Sequence, residues 1–150
     1  MKSLDTSTWE IRTTNLLDIG YLFDFSPNYK IYRPLNTDYK FTTNCNANNV
    51  GNLHRIDLKG DELIITKSYK DCRVLINTLQ TKNVIWFQNE GMFPSQEIID
   101  DLEMRFNSFL IIFDNDRQGI LSANKLTEVF KIKPAKAIFL NKHKDPSTYL

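Results

Sequence analysis

Asp114 and Asp116 are the residues of this sequence whose type and spacing point most sharply to chemistry. Alternate residues leaving a β-strand point the same way, so the pair aims two carboxylates at one place. Hard cations such as Mg²⁺ are held like this, by one or two carboxylates completed by water and phosphate oxygens. The plain alternative is a polar loop in which Asp opens a helix, a position that favours Asp without any metal. Both readings stay open on these residues alone. Glu90, beside Gly91, is a candidate third acid or else a solvated turn residue. Lys67 and Lys70 are point charges suited to phosphate or nucleic-acid backbone, or simply an exposed helix start. His54 and His143 lie far apart, without metal-ligand spacing, and read as surface residues. The sequence has no glycine-rich phosphate loop, and no Ser/His/Asp or Cys/His set stands out. Cys45 and Cys72 are too few for a four-cysteine zinc site or a disulfide framework, so a reduced, cytoplasmic setting is expected.

The elements that must position these residues follow from the apolar pattern. Leu63-Ile-Ile-Thr66, Val84-Ile-Trp-Phe-Gln88, Phe109-Leu-Ile-Ile-Phe113 and Lys136-Ala-Ile-Phe-Leu140 read as four strands. Near-continuous apolar runs mark strands buried on both faces, as in parallel sheets. Three helices alternate with them. Ser68 caps the first, with Asp71 as its capping-box partner, and that helix runs to about Gln80. Ser95 opens the second, with Ile98, Ile99, Leu102 and Phe106 on one face. The third covers about Gln118 to Phe130. Strand–helix alternation with short links gives a parallel sheet with helices on both sides. In such sheets ligands bind beyond the carboxyl ends of the strands, which is where Lys67, Glu90, Asp114 and Asp116 fall. Before Gly51 the pattern differs: Tyr21-Leu-Phe-Asp-Phe25, Tyr29-Lys-Ile-Tyr-Arg33 and Tyr39-Lys-Phe41 read as short antiparallel strands, and Asn44 to Asn52 as a loop. The expected organisation is a β-rich element over 1–52 and an α/β domain over 53–150.

At 150 residues, with 41% hydrophobic and 25% charged, the chain is of ordinary globular composition, which excludes disorder and a coiled-coil rod. No run approaches the roughly 18–20 apolar residues of a membrane helix, and the first residues lack the apolar core of a signal peptide. The net charge of +1 argues against a dedicated nucleic-acid binder until its distribution is seen. Residues 81–120 carry three basic and seven acidic side chains, a net of −4, and residues 121–150 carry six and two, a net of +4. The acidic segment contains the candidate metal pair, and the basic one could follow a phosphate backbone. Any nucleic-acid affinity is expected to be modest and salt-sensitive.

The segment Phe113-Asp-Asn-Asp-Arg-Gln-Gly119 resembles the third-strand motif of the Toprim domain, shared by bacterial-type DNA primases, topoisomerases and some nucleases. The likeness is strongest to phage-type (DnaG-like) primases. Leu63 to Asp71 resembles their first strand and turn, Tyr29 to Pro34 the stretch before the domain, and Lys144 to Tyr149 their closing Asp-Pro segment. The resemblance implies a Toprim-like, Rossmann-like α/β fold: a parallel four-stranded sheet with its second strand beside its first, helices on both faces, and a small β-rich element in front. It implies nucleotidyl transfer, in which a 3′-hydroxyl attacks the α-phosphate of a nucleotide during RNA primer synthesis on single-stranded DNA. Asp114, Asp116 and Glu90 would hold Mg²⁺ or Mn²⁺; Glu90, Lys67 and Asp71 would be the catalytic candidates; Lys30, Arg33, Lys67, Lys70 and Arg117 would meet nucleic acid. Template, nucleotides and a replicative helicase or other replication protein are the implied partners. The sequence departs from the family in one place: Lys67-Ser68 stands where many Toprim domains carry Glu-Gly. Either Glu90 supplies the missing carboxylate, or the chain is a degenerate Toprim that binds nucleic acid or a replication partner without catalysis. A Toprim nuclease is the third possibility. A response-regulator receiver or an Asp-x-Asp hydrolase would need its acids after the first strand, where this chain has Thr66-Lys67. No zinc-binding module fits in the chain, so it is expected to be a fragment or a product assisted by other subunits.

Overall fold

The computed structural model describes residues 9–12 and 20–140, the first group by backbone alone. Two four-stranded sheets carry the chain. The first is antiparallel, in sequence order: β1 (Trp9–Arg12), β2 (Gly20–Phe25), β3 (Asn28–Tyr32) and β4 (Phe41–Thr43). The second is parallel, built from β5 (Gly60–Thr66), β6 (Val84–Trp86), β7 (Phe106–Ile111) and β8 (Ala135–Ala137), in the order β6-β5-β7-β8. Helices α1 (Tyr69–Leu79), α2 (Gln96–Arg105) and α3 (Arg117–Val129) link its strands. The expected sheet, its direction and the place of the second strand beside the first are all observed.

The apolar runs explain why this sheet is buried on both faces. Leu63, Ile65, Ile85, Phe109 and Ile111 point to one face, where Ile99 and Leu102 of α2 and Ala123 and Leu126 of α3 cover them. Ile64, Val84, Trp86 and Ile112 point to the other, where Cys72 and Leu75 of α1 pack beside Phe23 and Phe25 of the antiparallel sheet. Trp86 is the joint between the sheets: Phe23 and Phe25 each meet its ring edge-on at 5.6 Å. Gly51 bridges the outer edge of β6 through two backbone hydrogen bonds to Trp86, of 2.8 and 3.1 Å. A Cβ at Gly51 would overlap the Trp86 indole, so only glycine lets the loop cover that edge.

Several boundaries depart from the pattern. Phe106 is not a helix-face residue: α2 passes without a loop into β7, and Phe106 is the first residue of that strand, paired with Gly60. The third strand therefore begins three residues before Phe109, where Phe106 still continues the helical apolar spacing of Ile99 and Leu102 but pairs with Gly60 of β5. The fourth strand is shorter than Lys136 to Leu140, at Ala135–Ala137, and the second stops at Trp86. In the antiparallel sheet the side chain of Asn36 accepts from the amides of Asp38 and Tyr39. This makes a turn of the stretch that reads as a strand from Tyr39, and pairing resumes at Phe41. β1 carries no strand reading in the sequence. The Asp-Pro segment from Lys144 and His143 lies outside the described residues. No helix among the described residues is long and apolar enough to cross a membrane.

Candidate active site

The carboxyl ends of β5, β6 and β7 converge, and each contributes one charged group. Lys67 follows the last residue of β5, the strand lying between the other two. Its ammonium donates to Asp114 Oδ2 at 2.6 Å and stands 4.0 Å from Glu90 Oε1. Glu90, in the loop after β6, accepts from the backbone amide of Asp114 at 2.9 Å, which ties the two acidic loops together. Asp114 is 3% exposed and Glu90 8%, whereas the Lys67 side chain keeps 29%. The acids are thus buried while the lysine that meets them still reaches solvent.

Electrostatics follow from that burial. Burial pushes the Glu90 carboxyl above its ordinary range, aided by the charges of Asp114 and Asp116 and opposed by the Asp114 amide and the Lys67 charge. Burial would lower the Lys67 ammonium, but the hydrogen bond to Asp114 and the charges of Asp114, Glu90 and Asp71 together hold it above the ordinary lysine range. The protein favours a charged Lys67 here.

The remaining sequence candidates divide. Asp116 caps α3, its Oδ1 accepting from the Gly119 amide at 2.8 Å. Asp71 forms the expected capping box: its amide donates to Ser68 Oγ at 3.2 Å, and Ser68 Oγ donates back to Asp71 Oδ2 at 2.9 Å. Lys70 and Arg117 are exposed in the first turns of α1 and α3. Lys30 lies in β3 of the other sheet and Arg33 directly follows that strand. The Lys30 ammonium lies 5.0 Å from the Phe41 ring and 5.6 Å from Trp86, close enough to the mouth for the Lys67 charge to act on it. Arg33 donates to Thr42 Oγ1 at 2.8 Å. The sequence reading missed the role of Gly119. A Cβ there would collide with the backbone carbonyl of Asp114, so α3 can start under the Asp114 loop only with glycine at this position. Its signal was a glycine inside the first turn of a helix, where it is otherwise unfavourable.

A metal held as the resemblance implies needs carboxylate oxygens free to converge. Asp114 Oδ2 instead carries the Lys67 ammonium, and Asp116 points one oxygen into its own helix terminus. Among the described residues no three acidic, imidazole or thiol groups are placed to hold a metal ion. With the Lys67 ammonium on Asp114 Oδ2, the arrangement does not fit a divalent cation at that oxygen.

No protein-family model matches the chain, and no curated protein matches it by sequence. Solved structures do. The primase fragment of the bacteriophage T7 primase-helicase protein superposes with a TM-score of 0.68 at 13% identity, over 87% of this chain and 57% of that one. The fold is that of a primase catalytic core. A DNA primase domain from Pseudomonas aeruginosa gives 0.66 at 17% identity over 96% and 52%, and a DnaG primase catalytic domain bound to single-stranded DNA gives 0.66 at 16% over 86% and 46%. The chain spans about half the length of these structures. In primase-core terms the parallel sheet is the Toprim-like part, and Lys67, Glu90 and Asp114 sit at its carboxyl edge.

Proposed function

We propose that the chain is the core portion of a primase-type protein that takes single-stranded DNA and nucleotides and makes RNA primers in phage-type replication. The observation that carries this reading is the convergence of Lys67, Glu90 and Asp114 at the carboxyl edge of a primase-fold sheet. Residues 1–52 would form the β-rich element beside the template and residues 53–150 the Toprim-like domain. Lys67 would meet a phosphate oxygen from its solvent-exposed side, and Lys30, Arg33, Lys70 and Arg117 would track the backbone as further cations. In the bond-forming step the 3′-hydroxyl oxygen attacks the α-phosphorus, pyrophosphate leaves, and Glu90 takes the hydroxyl proton. A carboxyl held above its usual range by burial suits that task. Asp71 would act only by fixing the start of α1. The T7 neighbour is a primase-helicase, and a helicase or another replication protein is the partner this reading expects, in the cytoplasm of a bacterial or phage-infected cell.

The Lys67–Asp114 contact favours a second reading, a primase-fold module that binds nucleic acid without catalysis. One experiment separates the two. The purified chain is incubated with a single-stranded template and labelled ribonucleotides, with Mg²⁺ or Mn²⁺ present or absent, and template binding is followed in parallel. The primase reading expects short RNA products that disappear in Glu90→Gln, which removes the proton acceptor, and weaken in Asp114→Asn, which removes the charge that Lys67 meets. Template binding without products selects the second reading, and the absence of both overturns both. Cleavage of labelled DNA with metal and no nucleotides would select the nuclease.

A further inference from the structure

We propose that the Lys67 ammonium stands in place of a divalent cation at the mouth of the parallel sheet, so that the buried acids are neutralised by the protein itself and the folded site is indifferent to metal. The proposal rests on the primase-type reading only for which cation is replaced. Topology supplies the geometry. β5 has β6 on one side and β7 on the other, so the first residue beyond β5 rises between the loops bearing Glu90 and Asp114. An ammonium carries donors in three directions and can face both carboxylates at once. It reaches Asp114 at 2.6 Å and stands 4.0 Å from Glu90.

A hard divalent ion needs oxygen ligands at about 2.0–2.1 Å and several of them together. Asp114 Oδ2 already carries a full positive charge at hydrogen-bond distance, and a second cation at that oxygen would meet Lys67 head-on. Glu90 is committed in turn: its Oε1 holds the Asp114 amide, so turning it toward an ion would break the tie between the two acidic loops. Asp116 has its own duty at the α3 terminus. One oxygen of each acid near the mouth therefore already has a structural partner within the protein.

The test reads stability and metal occupancy, not catalysis. The wild-type chain, stripped with EDTA, is titrated with Mn²⁺ and then Mg²⁺ while its melting temperature and the free Mn²⁺ signal in electron paramagnetic resonance are followed. The expected result is that wild type responds no more than Asp114→Asn does. Lys67→Arg, which keeps the cation, behaves as wild type. Lys67→Glu removes the ammonium and adds a carboxylate. It melts below wild type in EDTA, recovers by several degrees with Mn²⁺ and binds the ion, and the added Asp114→Asn change abolishes that recovery. Should Lys67→Glu fail to fold, Lys67→Gln is read instead and is expected to show a smaller recovery of the same sign. A metal-dependent rise in wild type that Asp114→Asn removes overturns the proposal. So does a folded Lys67→Glu or Lys67→Gln chain that gains no response. Primer synthesis does not enter these readouts. A chain that makes no primers yet gains metal binding in Lys67→Glu loses the primase reading and keeps this one, and a primer-making chain with a wild-type metal site does the reverse.

Discussion

Lys67 and Lys30 stand within each other's field but belong to different sheets, and their surroundings push them in opposite directions. At the mouth of the parallel sheet Lys67 meets carboxylates, which more than offset the cost of its partial burial. On the inner face of the antiparallel sheet Lys30 lies against aromatic rings, and burial lowers its ammonium, with the Lys67 charge adding to the effect and Cys45 opposing it. A ring face attracts a cation by roughly 0.5–2 kcal/mol, less than a desolvated ammonium needs to recover its hydration. The parallel sheet thus has groups built to keep a charge, whereas the antiparallel sheet tolerates one. A residue that stability does not account for invites a functional explanation, and by that measure Lys30 is the stronger candidate for phosphate binding.

The comparison requires the two sheets to stay joined, and Trp86 is the side chain that joins them. Trp86→Ala removes the ring met by Phe23 and Phe25 and leaves a cavity between the sheets. A loss of about 3–5 kcal/mol is expected in denaturant unfolding. Within the parallel sheet, Gly119→Ala forces a methyl against the Asp114 carbonyl and must shift either α3 or the acidic loop. It should cost about 1–3 kcal/mol by the same measurement. Amide exchange should be faster at the Asp114 amide that Glu90 holds, since the loop moves with the helix start.

The parallel sheet was legible because its strands are short apolar runs with helices between them, the pattern of parallel α/β sheets. The antiparallel sheet was legible only in outline: Asn36 turns a stretch of strand-like composition, and side-chain capping of that kind is invisible to periodicity. The same limit appears at Phe106, where the helical spacing runs on for one residue and only its pairing with Gly60 puts it in a strand. In the site, Asp114, Glu90 and Lys67 were findable from their positions after strands. That Lys67 would pair with Asp114 was not, because strand-end residues are neighbours only once the order β6-β5-β7 exists. Asp116 illustrates the converse: the metal reading and the cap reading were both available from spacing, and the structure shows the cap through Oδ1 and the Gly119 amide.

Removing each lysine sharpens the contrast directly. Lys67→Met leaves Asp114 buried beside an apolar chain. The expected loss is about 2 kcal/mol, below the roughly 3–5 kcal/mol of a fully buried pair because solvent still reaches Lys67. Lys30→Met exchanges a partly desolvated ammonium for an apolar chain against the same rings and should fall within about 1 kcal/mol of wild type. If the chain binds a template as proposed, its affinity should nevertheless drop in Lys30→Met and lose part of its salt dependence with the removed charge.

The smallest effect is the pH profile of that last pair. The folded-state pKa of Lys30 lies below the ordinary lysine value of 10.5. Between the lowered value and 10.5 the unfolded chain binds a proton that the folded chain does not, so this group makes stability rise with pH across that window. Below it the penalty is constant. Wild type should therefore gain on Lys30→Met as the pH is raised toward 10.5. Lys67 has the opposite sign: its stabilisation is complete below 10.5 and is lost as the pH climbs through its raised value. Wild type should gain nothing on Lys67→Met in the first window and should lose ground above it. Melting curves of the three chains at matched ionic strength check both slopes. Parallel profiles for the two variants would mean that the two lysines share one environment, and the distinction between the sheets would fall with it.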